Sequence, residues 1–189
     1  VAATLGGRAF ALATVHRAEN TDEPERLQAI VGALRVLSGE IDVVWPLHPR
    51  TRKVLAALGI DVDGQKSLHV VGPLGYLDMI ELQRNARVVL TDSGGVQKEA
   101  YLLGVPCVTL RDETEWVETL AGGWNVLAGA DTERILAAAR RPRPDGARPI
   151  RSIHGQRALS GNGPLDQLTV NVPANQFEWP RHRHVDQRR

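Results

Sequence analysis

VVLTDSGGVQKEAYLL, residues 88–103, joins a buried strand to a helix through a short turn that contains two glycines. Residues 88–91 are apolar or β-branched on both faces, which is typical of a strand inside a parallel sheet. From residue 96 onward the apolar positions recur at helical spacing, and Gly104 is a suitable stop for that helix. This stretch therefore predicts a strand–turn–helix unit of an α/β protein.

The same alternation of short apolar runs and amphipathic runs extends over most of the chain. It predicts strands at 10–15, 42–47, 68–71, 88–91, 106–110 and 125–127, and helices at 24–37, 51–58, 77–84, 96–103, 115–120 and 131–140. The pattern indicates an α/β fold with a Rossmann-like, doubly wound parallel sheet of about six strands and right-handed crossovers. We place this domain at residues 1–149 and predict an irregular or disordered tail at 150–189, where no period is sustained.

Composition narrows the classes of function. The chain has 189 residues, of which 42% are hydrophobic, and its 23 Lys and Arg residues nearly balance 22 Asp and Glu residues. Such a balance predicts neither nucleic-acid nor membrane-surface binding, and no apolar stretch approaches the roughly 20 residues of a membrane span. The single cysteine, Cys107, lies in an apolar run and fits a buried residue of a cytoplasmic protein. Because the sequence begins at Val1 without Met, we expect a fragment of a longer protein.

Polar residues cluster where the predicted strands end. Because the carboxyl ends of parallel strands meet at one edge of a sheet, clusters that are distant in sequence should converge there on a ligand crevice. If the polar clusters were only solvated loops, they would be distributed over both edges of the sheet. The clusters are residues 14–20, 46–49, 72–74, 91–95 and 111–115.

The turn DSGG at 92–95 is the sharpest of these features. Gly94 and Gly95 permit close approach of the backbone to a ligand, and the following helix offers free N–H groups and a positive dipole end that suit a diphosphate. Glu99 lies one turn further along the same helix face, where its carboxylate could accept ribose hydroxyls. The alternative interpretation is an ordinary cap by Asp92 or Ser93 with a solvated Glu99.

Histidines supply the remaining candidates. His16 is followed by Arg17, and the pair could hold a phosphate or move a proton, although a plain surface loop also fits. His48 precedes a proline and is a weaker candidate, whereas His69 lies inside an apolar strand and is interpreted as structural. These three histidines lack the spacing of zinc ligands, so we predict no metal.

In order and spacing, five segments of this sequence resemble the carboxyl-terminal half of the non-hydrolysing UDP-N-acetylglucosamine 2-epimerases. The resemblance covers roughly residues 8–140, and the segments together are specific. They are VHRAEN at 15–20, PLHP at 46–49, GPLGY at 72–76, TDSGGVQKE at 91–99 and RDETEWVE at 111–118.

The resemblance implies one half of a two-domain fold of the glycosyltransferase-B type, with a UDP-sugar in the cleft between the halves. Ser93, Gly94 and Gly95 would then hold the diphosphate, Glu99 the ribose, and the stretch from Pro73 to Tyr76 would border the uracil. His16 matches a histidine implicated in catalysis. Arg17, Glu19 and His48 match positions that line the cleft or a neighbouring site where a second UDP-N-acetylglucosamine activates bacterial members. Arg111 belongs to the residues expected at the UDP.

The implied reaction interconverts UDP-N-acetylglucosamine and UDP-N-acetylmannosamine by eliminating UDP across C1 and C2 and adding it back. It needs a base and electrostatic support for the leaving UDP, and no redox cofactor. In the family, the acid and base carboxylates come from the amino-terminal domain, so we expect this chain to be inactive alone; the complete protein could be a homodimer. Lys98 and Trp116 depart from many members and suggest a subgroup. A glycosyltransferase of the same two-domain group, or a non-catalytic nucleotide-binding fragment, remains the alternative.

Overall fold

The computed structural model describes residue 5 and residues 7–145. The predicted tail at 150–189 and the predicted boundary at residue 149 lie outside this part of the chain. Among the described residues, no helix has both the length and the apolar character that a membrane crossing requires.

Six strands form one sheet in which every pairing is parallel. The spatial order is β3-β2-β1-β4-β5-β6. This order is that of a Rossmann-like, doubly wound sheet, so the predicted fold class and strand number are confirmed. The strands are β1 (Phe10–Thr14), β2 (Asp42–Pro46), β3 (Leu68–Val71), β4 (Val88–Thr91), β5 (Cys107–Thr109) and β6 (Asn125–Leu127).

Helices cover both faces of the sheet. The long second helix begins with a proline, whose fixed φ suits the first turn, and α5 ends at Gly104, which has a φ of 72°. The helices are α1 (Ala18–Thr21), α2 (Pro24–Ser38), α3 (Pro49–Ala57), α4 (Tyr76–Asn85), α5 (Gly94–Leu103) and α6 (Thr132–Ala139).

Two local expectations were wrong. The predicted helix at 115–120 is a 3₁₀ segment, Val117–Gly123, which is broken by the non-helical backbone of Ala121 and Gly122. Gly122 and Gly123 have φ values of 65° and 73°, in the left-handed region that glycine favours, so a regular helix cannot continue through them. The short helix α1 was missed because four residues are too few to show a hydrophobic period.

The core explains why the strands lack a polar face. All five residues of β1 and all four of β4 are buried, since helices pack on both sides of the central strands. One cluster lies with α2 and α6 and includes Trp45, and a second lies with α4 and α5 and includes Leu12. Truncating either side chain to alanine should cost about 2 to 5 kcal/mol of stability.

The strand order reverses between β1 and β4. From β1 the chain continues to β2 on one side, whereas β4 lies on its other side and leads to β5. The loops that follow β1 and β4 therefore leave the sheet in different directions and open a crevice at its carboxyl edge. That crevice is where the polar clusters meet.

Candidate functional site

Asp92 joins the two loops of the crevice. Its carboxylate is fully buried and accepts the backbone N–H groups of His16 at 3.0 Å and Arg17 at 2.9 Å. The side-chain amide of Asn20 donates to the same oxygen at 3.2 Å and to the carbonyl of Leu110 at 2.9 Å. The Asp92 carboxylate and the Asn20 amide thus connect the loops after β1, β4 and β5 by hydrogen bonds.

Charged side chains form a second layer around this centre. Arg111, only 11% exposed, donates to Glu19 at 3.2 Å and to Glu115 at 2.7 Å. Arg26 donates to the Asn20 amide oxygen at 3.1 Å and to Asp112 at 2.9 Å. These pairs tie the loop after β5 to the first two helices.

Electrostatics in this layer favour the charged forms. The pKa of Glu115 is lowered, first by a hydrogen bond from its own backbone N–H and then by the Arg111 guanidinium. The pKa of Arg111 is raised, chiefly by its hydrogen bond to Glu115. Arg17 adds a third charge, since its guanidinium lies 3.6 Å from Glu115. Arg17 and Arg111 therefore provide two fixed positive charges beside the crevice.

The turn at 93–95 opens α5. Ser93 is the N-cap residue, and among the described residues its side chain makes no capping bond to this helix. Gly95 is exposed, whereas Gly94 is buried. A Cβ on Gly94 would lie 2.5 Å from Oε1 of Glu115 and 2.7 Å from Nε1 of Trp116. Only a glycine fits at position 94, because any side chain would collide with Glu115 and Trp116. Gly95 is exposed and leaves the N-terminus of α5 accessible to a ligand.

Glu99 lies on α5 and is half-buried. Its Oε2 accepts a hydrogen bond from Nε2 of Gln83 at 2.7 Å. Gln83 belongs to α4, whose first residue, Tyr76, is 67% exposed. The candidate ribose acceptor is therefore held by a neighbouring helix, and the candidate uracil neighbour is accessible.

Two histidines meet across the crevice. The rings of His16 and His48 have centroids 6.2 Å apart. Nδ1 of His16 lies 3.6 Å from Asp92, and Nδ1 of His48 accepts the backbone N–H of Arg50 as the cap of α3. His69, in contrast, lies 2.7 Å from the buried Asp42, which begins β2 and lies at the opposite edge of the sheet.

Two positions that organise the site were not singled out from the sequence. Gln83 and Arg26 act through contacts with residues on other elements, which no local pattern reveals. One signal was available for Gln83, since a glutamine stands where the helical period of α4 predicts an inward-facing side chain.

Reactive and metal-binding groups are few in this part of the chain. Burial raises the pKa of the Cys107 thiol to about 12, so the thiol is neutral and unreactive in the folded protein. Within residues 7–145, no group of three or more His, Cys, Asp or Glu side chains could hold a metal ion.

The parallel sheet with the strand order 3-2-1-4-5-6 defines an α/β domain of the Rossmann type. Its candidate anion site combines an open glycine at a helix N-terminus with two nearby arginines. The family model described as UDP-N-acetylglucosamine 2-epimerase matches residues 1–163. The chain belongs to this family.

Known proteins agree with this membership. A UDP-N-acetylglucosamine 2-epimerase of Methanococcus maripaludis is 44% identical over 167 residues, which are 86% of this chain and 44% of that protein. The UDP-2,3-diacetamido-2,3-dideoxy-D-glucuronate 2-epimerase of Pseudomonas aeruginosa is 54% identical over 132 residues, which are 69% of this chain and 36% of that protein.

Solved structures show the same relation. The crystal structure of Methanocaldococcus jannaschii UDP-GlcNAc 2-epimerase in complex with UDP-GlcNAc and UDP matches with a TM-score of 0.67 and 35% identity. The match covers 80% of this chain and 46% of that one. The chain thus spans less than half the length of the relatives it matches.

Proposed function

We propose that this chain is the UDP-binding half of a UDP-N-acetylglucosamine 2-epimerase. The observation that carries the proposal is the position of Asp92, which holds the loop after β1 against the loop after β4 at the switch point of the sheet. Family membership supports the reaction class. An Escherichia coli heptosyltransferase with a TM-score of 0.50 is only 16% identical to this chain, so the likeness concerns the fold alone.

The nucleotide would bind along α5 and the loops that surround it. The backbone N–H of Ser93 donates to Oγ1 of Thr91 at 3.0 Å, so Ser93 binds the diphosphate through its side-chain hydroxyl. The open N–H group of Gly95 and the dipole of α5 bind it beside Ser93. Glu99 accepts the ribose hydroxyls, and the exposed ring of Tyr76 borders the uracil. Gly94 supports this arrangement by letting Glu115 and Trp116 pack against the turn.

Positive charge would support the departure of UDP. Elimination across C1 and C2 breaks the C1–O bond and leaves a further negative charge on the β-phosphate of the departing UDP, and Arg17 lies beside the turn that would hold it. Arg111 is already paired with Glu19 and Glu115, so it acts by orienting these carboxylates as well as by its charge. His16 can donate or accept a proton near the leaving group.

The complete enzyme includes a second half that this chain lacks. The carboxylates that remove and return the C2 proton come from the other half of the protein, which also closes the cleft over the sugar. Residues 1–149 are the UDP-binding domain. The full-length enzyme is cytoplasmic, which fits the single buried Cys107, and it acts as a homodimer without a cofactor or metal.

UDP-2,3-diacetamido-2,3-dideoxy-D-glucuronate is a second candidate substrate, because a relative that is 54% identical is named as its 2-epimerase. That nucleotide sugar shares the UDP moiety and the acetamido group at C2 with UDP-N-acetylglucosamine. The proposed site residues bind the UDP moiety that both compounds share, so the choice between the two sugars depends on residues that contact the sugar itself.

Hydrogen exchange tests the reaction. The chain is fused behind the residues that precede the matched region in the Methanococcus maripaludis relative, and UDP binding confirms that the fusion protein is folded. Incubation with each nucleotide sugar in D2O should then introduce deuterium at C2 and produce the epimer. A folded, UDP-binding fusion that exchanges neither substrate would contradict the proposed reaction.

A further inference from the structure

Gln83 is a polar residue in an apolar place. It is fully buried on α4, which packs against α5 beside the apolar cluster that contains Leu82, Ala86 and Ala100. A leucine or methionine would fill such a position without burying an amide. The glutamine therefore needs an explanation other than packing.

Its amide makes one specific contact. Nε2 donates to Oε2 of Glu99 at 2.7 Å, while Oε1 has no hydrogen-bond partner within the described residues. The orientation of the amide follows from chemistry, since exchanging its oxygen and nitrogen would place Oε1 against a carboxylate oxygen. Gln83 thus leaves one buried acceptor unsatisfied in order to donate to Glu99.

We propose that Gln83 is a positioning residue that fixes the carboxylate of Glu99 for the ribose hydroxyls of the nucleotide. This inference rests on the proposed function, in which Glu99 accepts those hydroxyls. One hydrogen bond to Oε2 uses one of about four lone-pair sites on the carboxylate. Oε1 and the remaining lone pair of Oε2 suffice for two vicinal hydroxyls.

The effect follows from the freedom of the glutamate side chain. Glu99 is only half-buried, and without Gln83 its carboxylate would explore several rotamers that ligand binding must then restrict. When Gln83 is present, the rotamer of the Glu99 side chain is already fixed in the folded protein, before the ligand binds. Removal of Gln83 should therefore weaken recognition of the ribose and leave contacts to the diphosphate intact.

Calorimetry on the full chain with two probes isolates this contribution. The probes are UDP and 2′-deoxyuridine 5′-diphosphate, which differ by one ribose hydroxyl. The variants are Gln83→Leu and, as a second apolar residue of similar length, Gln83→Met. The matched control is Asn85→Ala, which removes an exposed amide of the same helix that bonds only to Glu81.

For the unaltered chain we expect UDP to bind about tenfold more tightly than the deoxy probe, as for one hydrogen bond to a charged group. Gln83→Leu and Gln83→Met should weaken UDP binding about tenfold and weaken the deoxy probe less, because that probe keeps only one of the two hydroxyls. The discrimination between the probes should therefore fall. Urea unfolding should show equal or greater stability, since the unpaired Oε1 is gone. The control should bind both probes like the unaltered chain.

Other results overturn the inference in distinguishable ways. If the unaltered chain binds neither probe, the proposed function and the inference fail together. If it binds both probes equally, Glu99 does not recognise the 2′-hydroxyl, and a carboxylate held for both ribose hydroxyls is refuted together with the role of Gln83. Binding of the diphosphate is not affected by that result. If it discriminates and both Gln83 variants discriminate equally well, or bind UDP more tightly, Gln83 alone is refuted.

Discussion

The carboxylate of Asp92, at the end of β4, accepts the backbone N–H of His16, at the end of β1, at 3.0 Å. The two residues are 76 positions apart in the chain. This bond and its neighbour at Arg17 bring the histidine loop to the N-terminal end of α5. The two loops therefore lie together at the candidate site.

Replacing Asp92 with asparagine should therefore affect stability and binding together. An asparagine amide presents one acceptor and an NH₂ group that opposes the N–H groups of His16 and Arg17. We expect Asp92→Asn to lower the free energy of unfolding by about 3 kcal/mol, measured in urea, and to weaken UDP binding at least tenfold. Asp63→Asn removes a largely exposed carboxylate and should change stability by less than about 1 kcal/mol. Equal effects of the two substitutions would contradict the role of Asp92.

The two glycines of the turn should respond differently to alanine. Gly94→Ala places a Cβ against the Trp116 ring and Glu115, and it should lower the free energy of unfolding by about 1 to 3 kcal/mol. Gly95→Ala meets only Oγ of Ser93 at 3.8 Å, so it should leave stability unchanged or slightly higher. Calorimetry should show that Gly95→Ala nevertheless weakens UDP binding. Normal UDP binding by this variant would place the diphosphate elsewhere.

Acid should weaken the charged layer through Glu115. Its pKa is lower in the folded protein than in the unfolded chain, so its stabilising contribution is present above about pH 4.3 and is lost as the pH falls through the folded pKa. Glu115→Gln should reduce the loss of stability in that range, as measured by urea unfolding at a series of pH values. The exposed Glu113→Gln is the control. Identical pH profiles for both variants would refute the pairing of Glu115 with Arg111.

Cys107 should be inert until the protein unfolds. Because burial raises the pKa of this thiol to about 12, almost no thiolate exists at pH 8. We expect no reaction with a thiol reagent in the native state and one equivalent in urea. Val117→Cys adds a thiol at an exposed position and should react at once. Rapid native reaction of Cys107 itself would show that the core is open.

Local sequence predicted the fold and the edge of the sheet at which the polar clusters meet. The strands at 10–14 and 88–91 are apolar on both faces, and the polar clusters follow their carboxyl ends. The contacts within the site could not be predicted. Nothing local indicates that Asp92 binds the His16 loop or that Gln83 reaches Glu99, because each pair joins separate elements.

The break in the 3₁₀ segment at Ala121 and Gly122 was missed for a related reason. Apolar and acidic residues at 115–120 have helical spacing, yet the segment begins only at Val117, and the left-handed φ values of Gly122 and Gly123 prevent it from continuing as a regular helix. Consecutive glycines were the available signal. They permit a left-handed turn but do not require one.

The central claim is that remote loops form one nucleotide site. Backbone amide chemical shifts recorded during titration of the ¹⁵N-labelled chain with UDP test it most directly. We expect the amides of His16, Arg17, Gly95 and Glu99 to shift along a single binding isotherm. Shifts confined to one loop, or no shifts at saturating UDP, would contradict the account.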